Sequence, residues 1–169
     1  MTAIERADHG GTIRRAVQAD LLDVYRIEKL VFDQPWPFSA FERYVGEPGF
    51  LVRERPQGAD GLDDNPLLGY VVADAIPNHA RPLGHIKDIA VHPAAQGQGI
   101  GRELLRRGLD ALAAQGVRSA KLEVRRSNDA ALGLYREFGF GVLRTLPRYY
   151  SDGEDAFIMV ANLEDRDAY

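Results

Sequence analysis

Three glycines at alternate positions constrain this chain more than any other feature. Gly97, Gly99 and Gly101 stand in "HPAAQGQGIGREL", between the apolar run 85–91 and a stretch with helical periodicity. Glycine gives up side-chain packing and costs backbone entropy, so its repetition marks a turn whose backbone must stay bare. A strand, such a turn and a helix N-terminus predict an anion-binding loop, because successive N–H groups and the helix dipole point into the turn. The alternative is a tight strand-to-helix turn with several positive φ angles.

The glycine spacing excludes the two commonest phosphate-binding loops. A dinucleotide-binding turn needs G-x-G-x-x-G, whereas this segment reads G-x-G-x-G. A triphosphate-binding loop needs G-K-[ST], whereas Gly101 is followed by Arg102 and Glu103. An anion at this turn would therefore be bound by another kind of loop.

The order of elements predicts an α/β fold. Apolar alternation and helical periodicity give the order βααββ, then βαβαββ, which is typical of a mixed sheet of about seven strands with helices on both faces. A capping box of Ser39 and Glu42 begins the second helix, and Gly46 ends it. We expect residues 1–11 to form a flexible tail and residues 12–165 a single domain. Strands are predicted at 12–17, 49–54, 67–76, 85–91, 119–125, 139–145 and 155–163, and helices at 20–32, 39–45, 102–115 and 127–138.

Composition and charge narrow the class of protein. The formal net charge of −4 over 169 residues argues against general nucleic-acid binding. The absence of cysteine excludes disulfides, thiolate metal sites and a cysteine nucleophile, and the four histidines lack the paired spacing of a metal site. No apolar run approaches the length of a membrane span, and the polar N-terminus does not resemble a signal peptide, so we expect a cytoplasmic protein.

The glycine segment resembles the acetyl-CoA signature of the GNAT acetyltransferases, Q/R-x-x-G-x-G/A, here Gln96-x-x-Gly99-x-Gly101. The resemblance extends to the preceding strand and to nearly the whole order of elements. It implies the GNAT fold, with acetyl-CoA as co-substrate and no metal. In that family the loop amides bind the CoA pyrophosphate, and the bulged strand before the loop pairs with the pantetheine arm. The cofactor-binding residues that the resemblance implies are Ile89, Ala90 and Val91 for pantetheine, Gln96, Gly97, Gln98, Gly99, Ile100, Gly101 and Arg102 for the pyrophosphate, and Asn128 and Tyr135 from a later helix.

Two later segments resemble protein N-terminal acetyltransferases. "LEVRRSNDAALGLYREFGF" is similar to the RimI-type ribosomal-protein-alanine acetyltransferases, and "RYYSDGEDAFIM" (148–159) is similar to the tail of the archaeal and eukaryotic Ard1-type catalytic subunits. The resemblance implies acetylation of the N-terminal α-amine of a ribosomal protein or of nascent chains. The alternatives are acetylation of lysine side chains or of a small-molecule amine, and a CoA-binding sensor without catalysis. We expect a monomer or weak dimer, with the ribosome or ribosomal proteins as partners, and no binding to membranes or directly to nucleic acid.

Glu123 is the first candidate for the general base. In "KLEVR", Leu122 and Val124 face one side of a strand and Glu123 the other, where covered surroundings would raise its pKa. The alternative is a solvated carboxylate paired with Lys121 or Arg125. The resemblance favours the base, because the RimI-type base lies at this glutamate. An α-amine titrates near about 8, so a weak base or a relayed water suffices, and direct attack on the thioester is the simplest route without a cysteine.

Tyr135 and His85 are the other candidates for proton transfer. Tyr135, in "ALGLYREF", is either a core aromatic of an amphipathic helix or, as the resemblance implies, the general acid for the departing thiolate. His85 begins the strand before the glycine turn, where it either satisfies a strand end or, as in some archaeal relatives, relays a proton through water. Asn128 is either a helix cap or a CoA contact, and His92 has a structural role.

Two loops are candidates for substrate binding. Tyr149 and Tyr150 are either ordinary loop aromatics or, as the resemblance implies, the pair that hydrogen-bonds the first residues of the substrate. The loop "FDQPWPF" (32–38), which contains Gln34 and Trp36, takes the place where the Ard1-type enzymes line the pocket for the first side chain.

Overall fold

The computed structural model describes residues 12–56, 63–77 and 82–164. Its strands are β1 (Ile13–Arg15), β2 (Phe50–Glu54), β3 (Leu67–Ile76), β4 (Leu83–Val91), β5 (Ser119–Arg125), β6 (Gly141–Leu146) and β7 (Ala156–Asn162). Its α-helices are α1 (Leu21–Val31), α2 (Phe38–Glu42), α3 (Ile100–Ala114) and α4 (Asp129–Glu137). The order of these strands and helices along the chain is the one that the sequence predicts.

The strands form one mixed sheet in the order β1-β2-β3-β4-β5-β7-β6. The pairs β1–β2, β2–β3, β5–β7 and β6–β7 are antiparallel. β4 and β5 are parallel, with Gly84 opposite Ala120 and His85 opposite Lys121, and α3 lies in the crossover connection that a parallel pair requires. The seven-stranded mixed sheet confirms the predicted α/β class.

One compact unit of the chain comprises the described residues of Met1–Val72 and Asp88–Gly108. α1 buries the apolar side of its helical pattern against β2, β3 and an aromatic side chain of α2. Gly69 on β3 allows a close approach of the backbone, since a Cβ there would lie 2.7 Å from the carbonyl oxygen of Ala90. The core of this unit contains Ala16, Leu21, Val24, Ile27, Phe41, Phe50, Val52, Leu67, Tyr70, Val72 and Ala90.

The second compact unit comprises the described residues of Ala73–Lys87 and Leu109–Tyr169. Along β5 the side chains alternate between two faces. Leu122 and its even-numbered neighbours are buried. Lys121, Glu123 and Arg125 share the opposite face and are only partly covered. This alternation is the one predicted for "KLEVR", and it places the candidate base on the face opposite the buried side chains.

The structure corrects the predicted ends of two helices. α2 begins at Phe38 with Pro37 at its N-cap and has no side-chain cap, so the predicted capping box of Ser39 and Glu42 is wrong. Proline fixes φ near the helical value and needs no N–H partner, which allows the helix to begin directly after it. α3 begins at Ile100, two residues before its predicted start. Its first turn therefore includes the third glycine of the glycine segment.

Some predictions lie outside what the structure describes. Residues 1–11, predicted as a flexible tail, are not among the described residues, and the single domain at 12–165 stays a prediction. Within the described ranges, no helix is both long and apolar enough to cross a membrane.

Candidate active site

The glycine turn is tied to the end of β4 by two polar side chains. His92 caps the short 3₁₀ segment Pro93–Ala95: its Nδ1 accepts an N–H of that segment at 3.1 Å, and its Nε2 lies 3.0 Å from an oxygen of Asp63. These contacts confirm the structural role predicted for His92. The side-chain amide of Gln96 donates to the carbonyl oxygen of Val91 at 3.1 Å and so connects the turn to the strand.

Two of the three glycines adopt a backbone conformation that other residues avoid. The φ angle is +83° at Gly97 and +84° at Gly99, whereas Gly101 lies inside α3. A Cβ added at Gly97 or Gly99 would meet no described atom within 4 Å, so the turn is open. The first N–H groups of α3 have no partner within the helix and lie directly after the turn. An open turn at a helix N-terminus fits a diphosphate group.

A histidine–glutamate pair connects the two parallel strands in the second unit. His85 Nε2 and Glu123 Oε1 are 2.7 Å apart, and Lys121 Nζ lies 3.3 Å from Glu123 Oε2. His85 stands opposite Lys121 in the strand register, so Glu123, two residues further on the same face, comes within its reach. The side chains of His85 and Glu123 are only 14% and 16% exposed. A proton acceptor thus lies where few water molecules can compete for it.

The pKa of Glu123 contradicts the expectation from the sequence. Burial raises this pKa, as predicted, but the hydrogen bond and charge of His85 and the charge of Lys121 together outweigh burial. They hold the pKa below its ordinary value of 4.5, so the prediction of a raised pKa is wrong. Lys121 is one of the two partners predicted for Glu123 as a solvated carboxylate. The other, Arg125, instead pairs with Asp152 and Glu154.

Tyr149 and Tyr150 lie side by side in the loop before β7. Their ring centroids are 5.0 Å apart in an edge-to-face arrangement, and the Arg125 guanidinium lies 4.0 Å from the centre of the Tyr150 ring. Burial raises the pKa of Tyr150 to about 12, against the opposing charge of Arg125. Burial and the charge of Glu123 also raise the pKa of Tyr149. Both hydroxyls therefore remain protonated at neutral pH, and both interact with the charge of Glu123.

Acidic residues hold the loop of the two tyrosines against the end of β5. Arg125 donates to Asp152 at 2.8 Å and to Glu154 at 2.9 Å. The second carboxylate oxygen of Glu154 accepts the backbone N–H of Ser127 at 2.9 Å. Hydrogen bonds from Ser127 and Arg125 lower the pKa of Glu154 to about 2. The loop is consequently attached to Arg125 at the end of β5 and to Ser127 just after it.

Tyr135 and Asn128 have structural surroundings on or beside α4. The Tyr135 side chain is buried, and its ring centroid lies 5.9 Å from that of Phe140. Asn128 is the N-cap of α4, and its side-chain oxygen accepts the N–H of Ala131 at 3.2 Å. The contacts of Tyr135 are those of a core aromatic, and those of Asn128 are those of a helix cap. The roles of Tyr135 as general acid and of Asn128 as a CoA contact stay predictions.

The loop 32–38 lies in the first unit and is fixed at its tryptophan. Gln34 is exposed, and the partly buried Trp36 packs with its ring centroid 5.2 Å from that of Phe41. The backbone N–H of Trp36 donates to Glu28 Oε2 at 2.8 Å. The candidate residues thus fall into two groups. The second unit contains His85, Glu123, Asn128, Tyr135, Tyr149 and Tyr150, and the first contains Gln34, Trp36, 89–91 and 96–102.

Sequence reasoning missed the carboxyl groups of Glu28, which is buried, and of Asp88, whose Oδ2 atom is buried. Glu28 takes an apolar position in the helical pattern of α1, and Asp88 interrupts the apolar run of β4. A charged residue at an apolar position was the available signal in both cases. Within the part of the chain that is described, no group of three or more metal-binding side chains is arranged to hold a metal ion.

Comparison with known proteins agrees with these features. The model of the acetyltransferase (GNAT) family matches residues 21–140. The N-alpha-acetyltransferase RimI of Mycobacterium tuberculosis is 39% identical over 152 residues, which are 88% of this chain and 90% of that protein. The ribosomal protein bS18-alanine N-acetyltransferase of Escherichia coli is 36% identical over 151 residues, 88% of this chain and 95% of that protein. The crystal structure of Ard1 from Thermoplasma volcanium matches with a TM-score of 0.78 and 26% identity, over 90% of this chain and 97% of that one.

The matched region includes both the glycine turn and the histidine–glutamate pair. Its family model spans more than half of the chain, and the two relatives span most of it. The chain therefore belongs to the GNAT family of acetyltransferases and is an acyltransferase that uses acetyl-CoA.

Proposed function

We propose that this chain acetylates the N-terminal α-amine of proteins, with a ribosomal protein or nascent chains as substrates. The observation that carries the proposal is the pair of His85 and Glu123, near the protonated hydroxyls of Tyr149 and Tyr150. One relative is named as an N-alpha-acetyltransferase and another for the alanine of ribosomal protein bS18, which supports the same class of acceptor.

Acetyl-CoA supplies the acetyl group as a thioester. The backbone of Ile89, Ala90 and Val91 would bind the pantetheine arm, and Asn128 would contact CoA. The turn would bind the pyrophosphate through Gln96, Gly97, Gln98, Gly99, Ile100, Gly101 and Arg102. The positive φ angles and open space at Gly97 and Gly99 support this assignment, because a diphosphate needs bare N–H groups at short range.

The pair of His85 and Glu123 accepts the proton that an ammonium group must lose before it attacks the thioester. An α-amine titrates near about 8, so part of it is already neutral at pH 7 and a weak base suffices. A lysine amine titrates near about 10.4 and needs a stronger base. Since the pKa of Glu123 is lowered, this site suits an α-amine better than a lysine side chain.

Three tyrosines supply hydroxyl donors in the proposed reaction. Tyr135 donates a proton to the departing thiolate. Tyr149 and Tyr150 donate hydrogen bonds to the backbone carbonyls of the first substrate residues, which keeps the terminal amine in place. The pKa of Tyr150, raised to about 12 by burial, supports a donor role because the hydroxyl stays protonated. Gln34 and Trp36 would line the pocket for the first side chain.

The Glu123→Gln variant tests the base. We expect kcat for a peptide with a free α-amine to fall by about 10²–10⁴-fold, with the KM for acetyl-CoA unchanged. Glu164→Gln is the matched control, because its carboxylate pairs with Arg118 at 3.6 Å on an exposed part of the same unit. A Glu123→Gln enzyme with the wild-type kcat and pH–rate profile would move the base to His85 or to a water molecule.

A peptide screen tests the acceptor. Short peptides that differ in their first two residues are offered with acetyl-CoA, next to free lysine derivatives and small amines. We expect rates to depend on the first residues of the peptides. Rates that are highest for small amines, with no dependence on the peptide sequence, would instead support a small-molecule acetyltransferase.

A further inference from the structure

A buried polar cluster in the first unit connects α1, β3 and β4. Glu28 is only 2% exposed, although it carries a carboxyl group. Its Oε1 accepts the hydroxyl of Tyr70, which is fully buried, and its Oε2 accepts the N–H of Trp36 at 2.8 Å. The backbone carbonyl of Glu28 also accepts the N–H of Phe32 at 3.0 Å. One residue therefore holds both ends of the segment 32–36.

Asp88 completes the cluster. Its side chain lies against both Glu28 and Tyr70, and its Oδ2 is buried without a hydrogen-bond partner among the described residues. The groups that shift the pKa of Asp88 most are the side chains of Glu28 and Tyr70 and a backbone N–H, and none of these is a cation. Two ionised carboxylates side by side are too costly in an apolar core, so the pair must share a proton.

The donors around the cluster decide which carboxyl group carries the proton. Glu28 receives two hydrogen bonds, one at each oxygen, so it needs no proton of its own to satisfy these donors. Among the described residues, the groups that act most on Asp88 are Glu28 and Tyr70 of the cluster and the backbone N–H of Ile89. Burial, followed by the neighbouring Glu28 carboxyl group, raises the pKa of Asp88 well above its ordinary range. These contacts favour the proton on Asp88.

We propose that Glu28 is a positioning residue, whose charge, stabilised by a protonated Asp88, fixes Trp36 and thereby the loop that receives the first residue of the substrate. The function of that loop rests on the proposed function, whereas the position of the proton and of Trp36 does not. Hydrogen bonds to a charged acceptor are stronger than neutral ones, so an anchoring carboxylate restrains the Trp36 backbone more than an amide would. The ring of Phe41 packs beside the hydrogen bonds of Glu28. Its centroid lies 5.6 Å from that of Tyr70 and 5.2 Å from that of Trp36, so apolar surface covers these hydrogen bonds.

The proposal predicts opposite results for two isosteric variants. Asp88→Asn replaces a protonated oxygen with an amide nitrogen that can donate in the same direction, so peptide KM and acetyl-CoA KM should both stay near the wild-type values. Glu28→Gln removes the charged acceptor and offers an oxygen to only one of the two donors, the Tyr70 hydroxyl or the Trp36 N–H. We expect its peptide KM to rise by about 10–100-fold, with the acetyl-CoA KM unchanged.

Two spectroscopic measurements test the same points without any catalysis. Trp36 is the single tryptophan of the chain, so fluorescence excited selectively at tryptophan reports on this loop alone. Its emission should change in Glu28→Gln and stay as in the wild type in Asp88→Asn. Infrared spectra at neutral pH should contain the C=O stretch of a protonated carboxyl group in the wild type, and this band should be missing in Asp88→Asn. These readings stand even if no peptide is a substrate, so a failure of the proposed function is distinguishable from a failure of this inference.

The reverse pattern would overturn the proposal. If Asp88→Asn disturbed Trp36 and the peptide KM while Glu28→Gln did not, the charge would be on Asp88. If the wild type lacked the protonated carboxyl band, the pair would not share a proton in this way. Should Glu28→Gln fail to fold, Tyr70→Phe removes one donor without changing the charge. It should leave the Trp36 emission unchanged, because the hydrogen bond from the Trp36 N–H to Glu28 remains.

Discussion

At the scale of single residues, the state of Glu123 is decided by its neighbours. Burial favours its neutral form, whereas His85 at 2.7 Å and Lys121 at 3.3 Å favour the carboxylate, and the two partners prevail. An ionised glutamate at neutral pH can accept a proton at any moment of the reaction but is a weak base. Such a base matches an acceptor amine that is already partly neutral near pH 8.

The Lys121→Met variant tests the contribution of Lys121 to the pKa of Glu123. We expect the pKa to rise, because a nearby positive charge is lost while burial remains. Carbon-13 NMR titration of the Glu123 carboxyl group measures this pKa directly. Lys121→Arg, which keeps the charge, should leave the pKa near its wild-type value. A pKa that does not change in Lys121→Met would assign the whole effect to His85.

The lowered pKa of Glu123 also makes the stability of the folded chain depend on pH. The pKa of Glu123 is lower in the folded than in the unfolded chain, so its contacts contribute stability above the unfolded value. This contribution is lost as the pH falls through the folded pKa. At neutral pH it is fully present.

At the scale of structural elements, the glycine turn owes its shape to backbone conformation rather than to crowding. Gly99 has a φ of +84° and no described atom within 4 Å of the point where a Cβ would lie. Gly116, at the other end of α3, has the same φ and equally open surroundings. The two glycines are therefore a matched pair. Only one of them lies at the helix end where an anion would bind.

Gly99→Ala and Gly116→Ala separate strain from ligand binding. Each should destabilise the fold by about 1–2 kcal/mol, because a Cβ disfavours the left-handed conformation. Only Gly99→Ala should also raise the KM for acetyl-CoA, since its methyl group enters the space above the turn. Thermal unfolding and steady-state kinetics measure the two effects. An acetyl-CoA KM that stays unchanged in a folded Gly99→Ala protein would remove the turn from the cofactor site.

Arg125 of β5 makes several contacts to the loop of Tyr149 and Tyr150. Arg125→Met removes the contacts to Asp152 and Glu154 and the guanidinium over Tyr150, so we expect a higher peptide KM and an unchanged acetyl-CoA KM. Steady-state kinetics with each substrate varied in turn measure both constants. Arg118→Met is the control, because among the described residues the Arg118 side chain pairs only with Glu164, at 3.6 Å on the surface. Equal effects of the two variants would mean that the contacts of Arg125 do not position the tyrosines.

At the scale of the whole molecule, local patterns predict the elements, and distant contacts decide the chemistry. The alternation in "KLEVR" correctly predicts which face of β5 carries Glu123, because strand periodicity is a local property. The sign of its pKa shift depends on His85, 38 residues earlier in the chain, and no local pattern contains that contact. The cluster of Glu28, Tyr70 and Asp88 escaped prediction for the same reason, since its members come from three separate elements.

The proposed acceptor, the N-terminal α-amine of a protein, can be tested with two peptides of the same sequence. Both are offered with acetyl-CoA, one with a free α-amine and the other N-terminally blocked with an internal lysine. Mass spectrometry then locates the acetyl group. We expect acetylation of the free α-amine and almost none of the lysine, because the site has only a weak base. Acetylation of the lysine, with the free α-amine left unmodified, would contradict the proposed acceptor.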